Sequence, residues 1–234
     1  LARIALFLLF LAPALVAQAR EANVVQQADV EFPGVGKATV RMIEAVGKAP
    51  TLEIVPQGRK RTPARFAMGR GDDFYVIEDM NSLLRCQARF KILNLKGFTD
   101  PLIVALAVTP GGSGHGFEME LVGVVGGRFQ RLSQKRLQTS NLGGFHVGDL
   151  GEGRIGVAVW DFIWADGESH YEPHRFTFTL YGANARTGRL FLLRKQKSAK
   201  KYDDRGQGAA RELNLPVRNL LDDIPEFRDF VSEL

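Results

Sequence analysis

Residues 174–181 read HRFTFTLY, and this octet decides the fold class. Phe176, Phe178 and Leu180 fall on one side of an extended chain, and Thr177, Thr179 and Tyr181 on the other. Alternation with period two marks a strand with one buried face, because successive Cβ atoms of an extended backbone point to opposite sides. The pattern recurs. Over residues 37–42, Ala38, Val40 and Met42 share one face and Lys37, Thr39 and Arg41 the other; over residues 51–55, Leu52 and Ile54 fall together. Residues 117–121 alternate too, which predicts Glu118 and Glu120 in water. Residues 102–108, LIVALAV, are continuously apolar, as expected for a strand covered on both faces.

Turn chemistry separates these segments. Gly126-Gly127 lies between VGVV and RFQRL, a strong signal for a two-residue hairpin. Asp166-Gly167, the run GGSG at 111–114 and residues 184–188 mark further loops. Residues 58–70, GRKRTPARFAMGR, read as an exposed basic loop that separates an N-terminal β unit from the rest. The C-terminal part changes period. Val217, Leu220, Leu221, Ile224, Phe227, Phe230, Val231 and Leu234 have helical spacing, with Asn214 as a cap and Pro216 in the first turn. Pro225 is expected to kink that run or to start a second short helix capped by Asp223. The expected fold is mainly β: antiparallel meanders with propeller-blade-like repeats and a C-terminal helical segment.

Composition sets outer bounds. With 234 residues, 45% hydrophobic and 24% charged, the chain has the make-up of a globular protein, not of a disordered tail, a collagen or a coiled coil. A lone cysteine, Cys86, excludes an internal disulfide and a Cys-rich zinc site, and its setting in SLLRCQARF reads as that of a small buried hydrophobe. Residues 1–19, LARIALFLLFLAPALVAQA, combine Arg3, an apolar run at 4–11 and a final small-x-small triplet. That is the form of a cleaved signal peptide, and the apolar run is short for a membrane span. The reading divides the chain into a signal peptide (1–19), the N-terminal β unit and its basic loop (20–70), a repeat-like β domain (71–205) and a helical cap (206–234). It implies a periplasmic or secreted protein with no transmembrane segment after cleavage. Nucleic acid is then not an expected partner, and the formal net charge of +5 implies only weak attraction to anionic surfaces.

Two segments resemble each other. The first runs from Asp100 through an apolar strand, a glycine loop and FEMELVGVVGGRFQRLSQKRL; the second runs from Gly153 through IGVAVW, an acidic loop and HRFTFTLYGANARTGRLFLLRKQKSAKKY. Leu102 corresponds to Ile155, and Gly127-Arg128-Phe129 to Gly188-Arg189-Leu190. Each unit is a small antiparallel meander, too small to bury its apolar faces alone. The stretch 143–159, GGFHVGDLGEGRIGVAV, resembles the FG-GAP or VCBS-type repeat of integrin-like β-propellers and exported bacterial proteins; Phe145, Gly148, Asp149, Leu150 and Gly153 carry the likeness. The resemblance implies a Ca²⁺ loop with Asp149 and Glu152 as ligands. Gly151 and Arg154 stand where further acids are wanted, since Ca²⁺ takes 6–8 oxygens.

The most distinctive local stretch is 159–174, VWDFIWADGESHYEPH, which holds both tryptophans. Trp160, Trp164 and Tyr171 are interleaved with Asp161, Asp166, Glu168 and Glu172 and with His170 and His174. Four readings stand side by side. The two histidines are spaced four apart as in helical zinc motifs, although Pro173 opposes a helix there. Paired carboxylates suit acid/base chemistry on glycans. Exposed aromatic rings among polar neighbours suit recognition. Finally, the rings can pack between strands while the charges are solvated, and Trp160, Phe162 and Trp164 share a side with Ala158. The basic stretches 131–136 and 194–201 read as solvated strand ends. No P-loop, nucleophile elbow, CxxC or Rossmann signature is present. The functional expectation is an exported, non-enzymatic binding protein that contacts a protein or glycan of the cell envelope through Trp160, Asp161, Trp164, Asp166, Glu168, His170, Tyr171 and His174. The alternatives are a periplasmic inhibitor of cell-wall hydrolases and a glycan-active hydrolase using Asp161, Asp166, Glu168 or Glu172.

Overall fold

A computed structural model describes residues 22–45, 48–58, 62–68, 87–109, 115–184, 187–215 and 218–227. Residues 1–19, read above as a signal peptide, Cys86, the loop 111–114, Pro216, Val217 and the end of the apolar C-terminal run lie outside these. The described residues form three antiparallel sheets, each built on a four-strand meander in which consecutive strands pair. The first holds β1 (Asn23–Phe32), β2 (Gly36–Glu44), β3 (Thr51–Pro56) and β4 (Ala64–Ala67). The second holds β5 (Gln87–Leu93), β6 (Leu102–Thr109), β7 (Gly116–Val125) and β8 (Arg128–Arg131), with β9 (Leu137–Ser140) also on β7. The third holds β10 (Gly144–Asp149), β11 (Ile155–Ile163), β12 (Arg175–Ala183) and β13 (Leu190–Lys197). No helix among the described residues is long and apolar enough to cross a membrane.

The alternation sorts side chains into layers. Ala38, Val40, Met42, Leu52 and Ile54 of the first sheet pack against Phe90, Ile103, Ala105, Ala107 and Val122 of the second. The opposite face of the second sheet (Leu102, Val104, Leu106, Val108, Phe117, Met119 and Leu121) packs against Phe145, Val157 and Val159 of the third. The apolar run of β6 thus serves two layers, odd residues one and even residues the other. Each large apolar side chain so buried contributes about 1.5–3 kcal/mol. The far face of the third sheet, with Ala158, Trp160, Phe176, Phe178 and Leu180, is covered by Ala209 and Ala210 of α1 (Gln207–Glu212) and by Leu215. Gly126 and Gly127 have φ of +59° and +72° and join Val125 to its partner Arg128, so the hairpin is the two-residue turn expected from sequence. Leu102 and Ile155 both begin the second strand of their sheets.

Four expectations need correction. Glu118 and Glu120 are buried, at 0% and 5% exposure, because the face of β7 that carries them lies in the layer between the first two sheets. Glu118 accepts from Arg136 Nη1 (2.8 Å) and Gln138 Nε2 (3.1 Å). Glu120 accepts from Arg131 Nε at 2.9 Å, and Arg131 also donates to the Ala67 carbonyl and sits over the Phe66 ring, 5.5 Å from its centre. Glu44 joins the same layer by accepting from Ala88 N–H and Arg89. In a doubly covered strand, polar alternation signals partners and not water. Second, the basic stretch 58–70 is not all loop: β4 pairs Ala64 with Ile54 and Ala67 with Thr51. Third, the basic stretch 131–136 is not simply a solvated strand end: Arg131 and Arg136 pair with the buried Glu120 and Glu118. Fourth, the C-terminal part is broken helix. A short 3-10 turn, Leu220–Asp223, places Leu220, Leu221, Ile224 and Phe227 in the core between the second and third sheets, and helix resumes at Pro225. Asn214 is left-handed (φ +52°) behind α1, and the side chain that caps the 3-10 turn is Asn219.

Two amides close open strand edges. Gln26 accepts from Phe90 N–H (2.7 Å) and donates to its carbonyl (2.8 Å), on the free side of β5. Asn219, 1% exposed, accepts from Phe145 N–H (3.2 Å) and donates to the Gly143 carbonyl (3.4 Å), on the free side of β10.

Candidate functional site

The aromatic and acidic stretch connects β11 to β12, whose last pair is Ile163 with Arg175. Residues 164–174 therefore leave one end of the third sheet as a hairpin loop. Asp166 and Gly167 (φ +81°) turn the chain, with Glu168 N–H donating to the Ala165 carbonyl at 3.1 Å. A second turn follows, Glu172 N–H to Ser169 O, also 3.1 Å. The loop re-enters the fold at His174, whose backbone exchanges two hydrogen bonds with Tyr202 (2.9 and 2.7 Å).

A buried polar brace holds it. His174 is 2% exposed; its Nδ1 lies 3.1 Å from Glu168 Oε2, and its Nε2 lies 3.4 Å from the His170 carbonyl. Glu168 also takes Lys201 Nζ at 2.5 Å and Ala165 N–H at 3.2 Å. The hydrogen bond from Lys201, then those from His174 and Ala165, hold the Glu168 carboxyl down at about 2, so it is ionised at neutral pH.

Rings gather on this brace. The Phe162 centroid is 4.8 Å from His174, 5.3 Å from Trp164 and 5.8 Å from His170. Trp164 and His170 lie 5.6 Å apart at 30°, and Tyr171 meets His170 edge-on at 5.7 Å. Trp164 remains 57% exposed and Tyr171 76%. His170 Nε2 is shielded from solvent and has no hydrogen-bond partner among the described residues. Beside it is a recess of about 130 Å³ lined by Leu142, His170, Tyr171, Glu172, Asp203 and Arg205 among others.

The eight residues singled out in the sequence thus divide. Trp164, Asp166, His170, Tyr171 and the neighbouring Glu172 form the outward surface. Glu168 and His174 are its internal supports. Trp160 is core: it is 1% exposed, stacks on Phe178 at 5.5 Å and donates Nε1–H to the Arg205 carbonyl. Asp161 faces inward, accepting from Ser140 Oγ (2.5 Å) and Phe162 N–H (2.9 Å), and burial raises its carboxyl pKa. Asp149 Oδ1 accepts from Gly151 N–H in its own turn, and Glu152 pairs with Arg154. No group of three or more His, Cys, Asp or Glu side chains that could hold a metal ion occurs among the described residues. Sequence reasoning missed Lys201, placed there among solvated strand ends. The bridge between His174 and Tyr202 brings it onto the loop, and no local pattern announces such a bridge. It also missed Phe162 as the hub of the rings.

The chain matches no family model, no curated protein and no solved structure.

Proposed function

We propose that this is an exported, non-enzymatic binding protein of the periplasm or cell exterior, and that the Trp164–Tyr171 surface grips a glycan or protein of the cell envelope. The observation that carries the reading is the exposure of two large aromatic rings on a loop anchored from within by Glu168 and His174. An indole and a phenol held rigidly in water lose little entropy on binding and offer flat apolar faces with polar rims, the surface that sugar rings and protein hot spots use. Asp166 and Glu172 flank them with hydrogen-bond acceptors. Export rests on residues 1–19. On the same footing, we read the three meanders as degenerate repeats of the FG-GAP type, with similar connectivity as the support.

The test is co-sedimentation of the purified protein with isolated envelope and with peptidoglycan sacculi, alongside Trp164→Ala and Tyr171→Ala. Wild type is expected to pellet with one of them and each variant to lose at least tenfold in affinity, with unchanged melting temperature. Release of soluble sugar by the wild type, abolished by Asp161→Asn or Glu168→Gln, would overturn the non-enzymatic reading in favour of a hydrolase.

A further inference from the structure

A second site lies on the far face of the third sheet, away from the aromatic loop. The helix α1 is six residues long and begins over Trp160 and Phe176, against which Gly206 packs closely. It is too short to cover the whole face. The remainder is roofed by residues 213–215, and between roof and sheet is a cleft of about 720 Å³. That is well inside the range of small-molecule sites, about 300–1,000 Å³. Its apolar lining is all leucine: Leu150, Leu180, Leu193, Leu213 and Leu215.

The rim of the cleft is predominantly cationic. Arg154, Arg194 and Arg211 line it, against the single carboxylate of Glu152. They come from three separate places: the β10–β11 turn, the edge strand β13 and α1. Arg154 pairs with Glu152 and Arg211 with Asp204, with guanidinium exposures of 63% and 75%. Ion pairs that open to solvent are worth about 0–1 kcal/mol, so a better anion can displace them. Arg194 makes no ion pair among the described residues. Three guanidinium forks over a leucine floor ask for a ligand with an apolar body and an anionic head, because the planar fork matches a carboxylate or phosphate bidentately.

We propose that this cleft binds a single-chain anionic amphiphile of the free fatty-acid class, its alkyl chain against Leu180, Leu193 and Leu215 and its carboxylate on Arg194 with Arg154 and Arg211. The assignment is independent of the role given to the aromatic loop.

Isothermal titration of the full chain with monomeric dodecanoate, below its micelle concentration, tests it. One-to-one saturation is expected. Acetate should give no binding, and dodecyltrimethylammonium, with the same chain and opposite charge, should bind at least tenfold more weakly. Arg194→Glu, a change on an exposed side chain, should weaken dodecanoate at least tenfold; Leu193→Asp should abolish the saturable heat; Trp164→Ala should leave it unchanged. Equal binding of the cationic and anionic amphiphiles, an unaffected Arg194→Glu variant, or uptake by anionic vesicles with none of the monomer would each overturn the proposal.

Discussion

Replacing Asn219 by Ala tests how the C-terminal segment belongs to the fold. Its amide serves three backbone groups at once: it accepts from Phe145 N–H and Leu221 N–H, both at 3.2 Å, and donates to Gly143 O. The residue is 1% exposed and Gly143 and Phe145 are buried, so water does not reach these groups easily. Stranding a buried polar group costs about 1–3 kcal/mol, and loss of a helix cap alone about 1 kcal/mol. With partial relaxation the total should be about 3 kcal/mol. For a chain of this size, that lowers the melting temperature by about 6–12 °C, since 1 kcal/mol corresponds to about 2–4 °C. Urea titration should show a lower midpoint with an unchanged slope, because the same surface is exposed on unfolding. Asn219→Asp keeps an acceptor for the two N–H groups but loses the donor to Gly143, and should recover part of the loss. A fall of less than about 2 °C for Asn219→Ala would mean that the terminal segment is a pendant and not part of the core, and the reasoning would fail.

The buried carboxylates give an asymmetric pair: Arg136→Ala, which leaves Glu118 buried with less compensation, should cost about 3–5 kcal/mol, whereas Glu118→Gln should cost far less, as read by chemical denaturation. Gly156→Ala should prevent soluble expression or lower stability by more than about 3 kcal/mol, since a Cβ there would lie 2.0 Å from the Tyr181 carbonyl inside the β11–β12 ladder. The depressed Glu168 carboxyl contributes stability that is present above its unfolded value, near 4.5, and is lost as pH falls toward about 2; Glu168→Gln should therefore flatten the acid limb of a stability–pH curve between those values. Asp161 works in the opposite sense. Its raised pKa makes folding less favourable as pH climbs past the ordinary carboxylate value, so Asp161→Asn should raise the melting temperature at pH 7 relative to wild type more than at pH 3.

Much of the fold could be read from period and turns. The octet at 174–181 forms β12 with Phe176, Phe178 and Leu180 buried, and the apolar run at 102–108 is covered on both sides. The failures share a cause. Glu118 and Glu120 were misjudged because a sequence shows which side chains share a face but not what covers that face. The spacing of the C-terminal apolar residues predicts helix up to Pro225, with a kink or a second helix there; the restart at Pro225 is legible, but the stretch before it is a 3-10 turn, which buries Leu220, Leu221 and Ile224 equally well because spacing reports burial. At the candidate site, composition picked out the loop that carries Trp164 and Tyr171. It could not separate Trp160, which points into the sheet's far face, from Trp164, which stands four residues on, past the last strand pair.

The layers on either side of the second sheet differ in chemistry. The layer between the first and second sheets carries, beside its apolar residues, the buried carboxylates Glu44, Glu118 and Glu120, paired with Arg89, Arg136 and Arg131; the layer between the second and third is mainly apolar, with the amide of Asn219 buried in it. Polar contacts that cross between these sheets, Glu44 to Ala88 N–H and Arg89, and Arg131 to the Ala67 carbonyl, cost more desolvation to form than apolar packing, so the molecule has a built-in seam. Under mild denaturant, amide hydrogens of β1 to β4 should exchange as one early block while those of β6, β11 and β12 stay protected. A protein with such a seam would shed its first leaf before the rest of the book comes apart.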